Sequence, residues 1–170
     1  MVILFSNRKN RTEKEIIDIL TGAGATYISD RAVFSGKSNI TIISEYKKTD
    51  IKINKGVAII TDDTERFKDQ KFSKEIIGIC EDCNKKALSV FSKSPIAVIS
   101  CGMSPKNTIT LSSRSENTLL LSLQRTITDI FGNTIEPAEF LIRIKNNYSE
   151  FPIMASIAVM LIYGIIPKEL

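Results

Sequence analysis

The stretch Pro95-Ile-Ala-Val-Ile-Ser-Cys-Gly-Met-Ser-Pro-Lys-Asn-Thr108 decides the reading of this chain. Its apolar run over residues 96–99 has the length of a buried strand. The run breaks at once into a loop of small polar residues with one glycine, one thiol and one lysine. In open α/β sheets, ligands sit just beyond the carboxyl ends of such strands. Two other apolar runs end in the same way. Residues 2–5 lead into Ser6, Asn7, Arg8 and, a little further on, Arg11; residues 57–60 lead into Asp62 and Asp63. If the three strands are parallel neighbours, their endings share one crevice, and the functional reading depends on that geometry.

Working outward, Thr12 and Glu15 have the spacing of a capping box. The helix they open carries Ile16, Ile17, Leu20 and Ala23 on its inner face, and Gly22 and Gly24 supply its stop. Residues 25–29 then read as a short strand, so the chain opens with a βαβ unit whose crossover is right-handed. Residues 39–45 and 50–54 are candidate strands, and residues 64–72 read as irregular. Ser73 caps a long central helix reaching about Phe91, with Ile76, Cys80, Cys83, Ala87 and Val90 forming its apolar stripe. After Asn107 the pattern changes to an antiparallel meander over 108–112, 118–128 and 134–144, with Pro137 marking an edge or a bulge. Residues 151–166 are almost continuously apolar, with Ser149 as a cap. The fold class expected is α/β, with α+β as the alternative. It comprises a mixed β-sheet, the N-terminal βαβ unit, the long central helix, the C-terminal antiparallel β-meander and a final apolar helix. No linker rich in Gly, Ser or Pro divides the chain, so residues 1–170 read as one domain.

Composition removes several classes of function. An apolar share of 43% and a charged share of 25% are ordinary for a globular chain, and 170 residues bury a core without a disulfide or metal staple. The net charge of +4 is spread without a basic block, which argues against a nucleic-acid partner. Three cysteines and the order of the first residues, apolar before charged, point to a reducing, cytoplasmic setting. The tail segment, 151–166, is shorter than the roughly 18–20 residues needed to cross a bilayer. It therefore reads as a core or subunit-interface helix, with membrane association as the minor alternative.

Candidate chemistry follows from the strand ends. The loop after residues 2–5 feeds a helix N-terminus, where free N–H groups attract phosphate or carboxylate and Arg8 and Arg11 add a clamp. Asn7 belongs to the same loop. After residues 96–99, Ser104, Lys106 and Asn107 are candidate ligand contacts, although the loop lacks the spacing of a Walker A motif. Ser100, Cys101 and Asp63 are the candidates for reacting groups. The chain has no histidine, so the usual partner of a nucleophilic cysteine is missing. Asp62 and Asp63 are the candidates for a metal ligand pair, which Glu65 could join, and no third carboxylate elsewhere matches them. Cys80 and Cys83 read as core residues rather than a zinc or redox pair. No cofactor can be named. The expected function is binding of an anionic small molecule at the strand ends. The alternative is an interaction module that forms a homo-oligomer.

Overall fold

The computed structural model describes residues 1–6, 10–45, 54–61, 67–167 and 169–170. In chain order its elements are β1 (Val2–Phe5), α1 (Arg11–Gly22), β2 (Thr26–Ile28), β3 (Val33–Phe34), β4 (Thr41–Glu45) and β5 (Lys55–Ile60). There follow β6 (Glu75–Glu81), α2 (Lys85–Phe91), β7 (Ala97–Gly102), β8 (Ile109–Arg114), β9 (Thr118–Leu123), β10 (Ile127–Thr128), β11 (Thr134–Ile135), β12 (Ala138–Arg143) and α3 (Glu150–Ile162). Ten strands form one sheet in the order β12-β9-β8-β7-β6-β5-β1-β4-β2-β3, and β10 and β11 make a separate hairpin. From β2 across to β8 every neighbouring pair is parallel; β3 at one end and β9 at the other turn antiparallel. The fold is α/β.

Parallel strands covered on both faces read as unbroken apolar runs, and β1 and β5 are of this kind. Val2, Leu4, Val57 and Ile59 face a core shared with α1 and α3, whereas Ile3, Phe5, Ala58 and Ile60 face a second core with α2. The chain leaves β1 toward β4 and β2, then crosses back to β5 on the other side, so β1 marks the topological switch point. Helix α3 is buried along its whole apolar length, against α1 and the strands β6 to β8. Its Ile157 is 1% exposed and its Leu161 4%. Among the described residues no helix is long and apolar enough to cross a membrane. Of the segment 151–166 expected as core or interface, residues 151–163 are core, and Ile166 is 70% exposed.

The long central helix is corrected. Residues 75–81 are strand β6, and only the seven-residue α2 follows, capped by the Asn84 side chain, which accepts from the Ala87 N–H, rather than by Ser73. The run Ile76-Ile77-Gly78-Ile79-Cys80 is a strand buried on both faces. Its spacing to Cys83, Ala87 and Val90 mimicked a helical stripe by joining two elements. Gly78 belongs to this packing: a Cβ there would lie 3.0 Å from the ring of Phe91. Cys80 is buried in β6, whereas Cys83 is exposed in the turn after it, so Cys83 is not a core residue.

Three smaller corrections follow. Asn10, not Thr12, caps α1 by accepting from the Thr12 N–H at 2.8 Å. In the βαβ unit, β2 reaches β1 only through the interposed β4. The middle meander strand stops at Leu123, because residues 124–126 leave the sheet and β10 pairs with β11 instead. Pro137 separates β11 from β12, and β12 is the outer strand of the sheet, as expected for an edge. The candidate strand over 50–54 lies outside the described residues apart from Asn54. Phe67 and Phe72, in the segment expected to be irregular, pack edge-on against Phe5 at 4.9 and 5.7 Å between ring centres.

Candidate functional site

Strands β1, β5 and β7 are parallel and finish on one edge of the sheet, with β5 beside β1 but β6 between β5 and β7. At a strand spacing of about 4.8 Å, the ends of β1 and β7 stand roughly 14 Å apart. The endings therefore divide into two groups.

The first group surrounds a crevice of about 470 Å³ between the starts of α1 and α3. Arg11 and Thr12 from α1, Thr61 after β5, Glu81 at the end of β6, Arg114 at the end of β8, and residues 147–152 line it. A set of long-range bonds builds this wall. Glu15, 8% exposed, accepts from the backbone N–H of Ser149 at 2.7 Å and from Arg11 Nε at 2.6 Å. Burial pushes the Glu15 carboxyl up, but the Ser149 N–H and the Arg11 guanidinium outweigh it and hold the group below its ordinary value. Arg114 donates to the Tyr148 carbonyl at 3.0 Å and to Asn147 Oδ1 at 2.6 Å. The Tyr148 hydroxyl donates to Asp18 at 2.6 Å, closing the loop onto α1.

The two helix starts are not equivalent. Both first turns contain an acid, Glu13 in α1 and Glu150 in α3. Glu13 is 3% exposed and accepts from Ser6 Oγ at 2.6 Å through Oε2, and among the described residues Oε1 has no hydrogen-bond partner. At α3 the N-cap Ser149 makes no side-chain bond to the helix. The leading N–H groups of a helix have no partner within it, and they attract anions. The connection between β1 and α1, Ser6-Asn-Arg-Lys-Asn10, has no glycine. It cannot form the glycine-rich phosphate cradle of a Walker loop.

The second group, after β7, is occupied with its own structure. Ser100 Oγ accepts from the Thr108 N–H at 3.2 Å, and Ser104 Oγ accepts from the Lys106 N–H at 3.3 Å. Buried Asn107 donates through Nδ2 to Asp82 at 2.7 Å. The Lys106 side chain is exposed, and its carbonyl accepts from Arg125. Gly102 leaves room for this bond, because a Cβ would lie 2.5 Å from the ends of the Asn107 and Asp82 side chains. Cys101 is fully buried, and burial pushes its thiol well above the ordinary range. Both features argue against a reactive thiolate at this position. Ser104, Lys106 and Asn107 thus form a turn beside the crevice rather than its lining.

Of the residues expected in the site, Arg11 lines the crevice; Asn7, Arg8, Asp62, Asp63 and Glu65 lie outside the described residues. Among the described residues no group of three or more His, Cys, Asp or Glu side chains could hold a metal ion. Arg114, Glu81 and the residues opening α3 escaped the sequence reading. Ser149 as a helix cap was the one visible signal for this wall.

No protein-family model matches the sequence, and no curated protein matches it. Solved structures do resemble it. The murein peptide ligase Mpl from Psychrobacter arcticus 273-4 superposes with a TM-score of 0.61 at 12% identity, over 98% of this chain and 44% of the ligase. The UDP-N-acetylmuramoylalanyl-D-glutamyl-2,6-diaminopimelate–D-alanyl-D-alanyl ligase from Acinetobacter baumannii gives 0.56 at 9% identity, over 96% and 43%. A second structure from that organism, MurF, gives 0.51 at 9% identity, over 96% and 42%. The chain spans less than half the length of each of these ligases, and what it shares with them is the fold.

Proposed function

We propose that this protein binds an anionic small molecule, bearing a phosphate or a carboxylate, in the crevice between α1 and α3. The observation that carries the reading is the start of α3, which opens onto the crevice with no side-chain cap and offers the N–H groups of Glu150 and Phe151 (Pro152 has none). The lining carries the guanidinium groups of Arg11 and Arg114 together with the carboxylates of Glu81 and Glu150. N–H donors at a helix end and a planar guanidinium both favour oxyanions. The resemblance in fold supports the same class of ligand. One similar ligase is named for a UDP-linked, glutamyl-containing compound, which carries phosphate and carboxylate groups.

Thermal unfolding in phosphate, succinate and chloride at matched ionic strength tests the proposal. A bound anion raises the melting temperature by mass action. Phosphate or succinate is expected to raise it above the chloride value, and Arg114→Ala to abolish the difference. An undiminished rise in Arg114→Ala would contradict the proposal.

Self-association is a second reading, favoured by apolar side chains on both outer strands: Leu141 of β12 is 70% exposed, and Val33 of β3 is 68% exposed. Sedimentation velocity of the wild type against Leu141→Lys separates it from the first, because a β12 interface would dissociate in the variant.

A further inference from the structure

A cavity of about 570 Å³ lies away from the α1–α3 crevice, against the starts of β5, β6 and β7. It exists because the sheet is notched. Strand β8 pairs with β7 only at Cys101 and Gly102, so it begins too late to cover Ala97, Val98 and Ile99. The chain next lines the space with residues 125–130, on the way into and out of the β10–β11 hairpin, and leaves a slot beside β7.

Alternation along β7 shows which backbone groups face that slot. The Cys101 carbonyl accepts from the Asp82 N–H, on the β6 side, whereas the Ser100 carbonyl accepts from the Thr108 N–H, on the β8 side. Backbone groups two residues apart in a strand point the same way. The N–H and C=O of Val98 therefore point into the notch, and among the described residues no backbone group bonds to them. A strand edge with unpaired groups is a template for another extended segment.

The walls define what that segment carries. Ile77, Ile99, Ile127 and Ile130 supply apolar surface. Lys55, Lys74 and Arg125 are exposed on the same lining. The acids there are Glu75 and Asp129, and the Asp129 carboxylate is taken by the N–H groups of Phe131 and Asn133 and by the Asn133 side chain. We propose that this slot binds a short extended peptide segment by adding it as a strand to β7, with an apolar side chain against the isoleucines and a carboxylate toward Lys74 and Arg125. The cavity volume lies within the range of ligand sites. This site is independent of the anion crevice.

The probes are acetylated tetrapeptides with Val, Leu, Ile or Phe at the second and fourth positions and a free carboxyl terminus. Each is compared with an analogue N-methylated at the amides that would pair with β7. Amide hydrogen exchange is read by NMR on the full chain. In the free protein the Val98 N–H is expected to exchange faster than those of Ile99 and Cys101, which face β6. At millimolar peptide at least one member is expected to slow Val98 exchange about fivefold or more, by closing the open edge. N-methylation is expected to remove that protection, and Arg125→Glu to weaken binding about tenfold. Failure of every peptide to protect Val98 would overturn the proposal. Equal binding of the methylated analogues would do so as well, since the slot would then hold side chains without strand pairing.

Discussion

Glu15 holds the backbone N–H of Ser149 at 2.7 Å across 134 residues of sequence. The same carboxylate takes the Arg11 guanidinium at 2.6 Å. One side chain thus fastens the first turn of α1 to the cap of α3 and makes both helix starts open on one crevice.

Replacing Glu15 by alanine leaves the Ser149 N–H without its acceptor. A lost partner of a charged hydrogen bond costs about 1–3 kcal/mol, so urea unfolding at neutral pH is expected to show a loss in that range. The pH dependence has a definite sign. The folded pKa of Glu15 is lowered, so its contribution is present above the unfolded carboxyl value of about 4.3 and fades as pH falls through the folded value. The gap between wild type and Glu15→Ala should close in acid. A gap independent of pH would contradict the assignment.

Among the described residues, Ser6 is the hydrogen-bond partner of the buried Glu13 carboxylate. Ser6→Ala removes it and is expected to cost about 1–3 kcal/mol by denaturant unfolding, because a buried carboxylate oxygen then loses this donor. Ser6→Thr keeps a hydroxyl and should recover much of the loss. Equal losses in both variants would show that packing around Ser6, rather than this bond, is at stake.

The three thiols should separate cleanly under alkylation of the native protein. Cys80 is buried and its pKa is pushed up to about 12, first by burial and then by Asp82, and Cys101 is buried completely. Cys83 is exposed. Peptide mapping after iodoacetamide treatment is expected to find label on Cys83 alone until the chain is unfolded. Rapid native labelling of Cys101 would restore it as a reacting group.

Gly102→Ala places a methyl group 2.5 Å from Asn107 and Asp82. Overpacking of this kind costs about 1–3 kcal/mol, and a melting curve should register it. Lys106→Ala, by contrast, touches an exposed side chain outside the crevice and is expected to leave anion-induced stabilisation unchanged. Loss of that stabilisation in Lys106→Ala would move the site to the turn after β7.

Much of the sheet was legible because β1, β5 and β7 are short apolar runs bounded by polar turns, whereas their parallel alignment was a condition of the reading that only the strand pairing supplies. Strand β6 was not. Its isoleucines also carry both faces, and the step from Cys80 to Cys83 happens to continue a helical interval across the turn before α2. The meander was drawn too long because Ile127 extends the alternation of Leu119, Leu121 and Leu123, although residues 124–126 leave the sheet. The strand ends drew attention to the carboxyl edge of the sheet, and β1, β5 and β7 do finish there. The opposite wall was hidden, because Arg114 and residues 147–150 reach the crevice only through bonds such as Glu15 to Ser149. Residues so far apart leave no local pattern in the sequence.

The most direct measurement is a phosphate titration of isotope-labelled protein followed by amide NMR, with chloride as the reference. Saturable shifts are expected to be largest at Glu150 and Phe151, to extend to Thr12 and Arg114, and to be lost in Arg114→Ala. Shifts centred on residues 103–107, or none that saturate, would contradict an anion site at the start of α3.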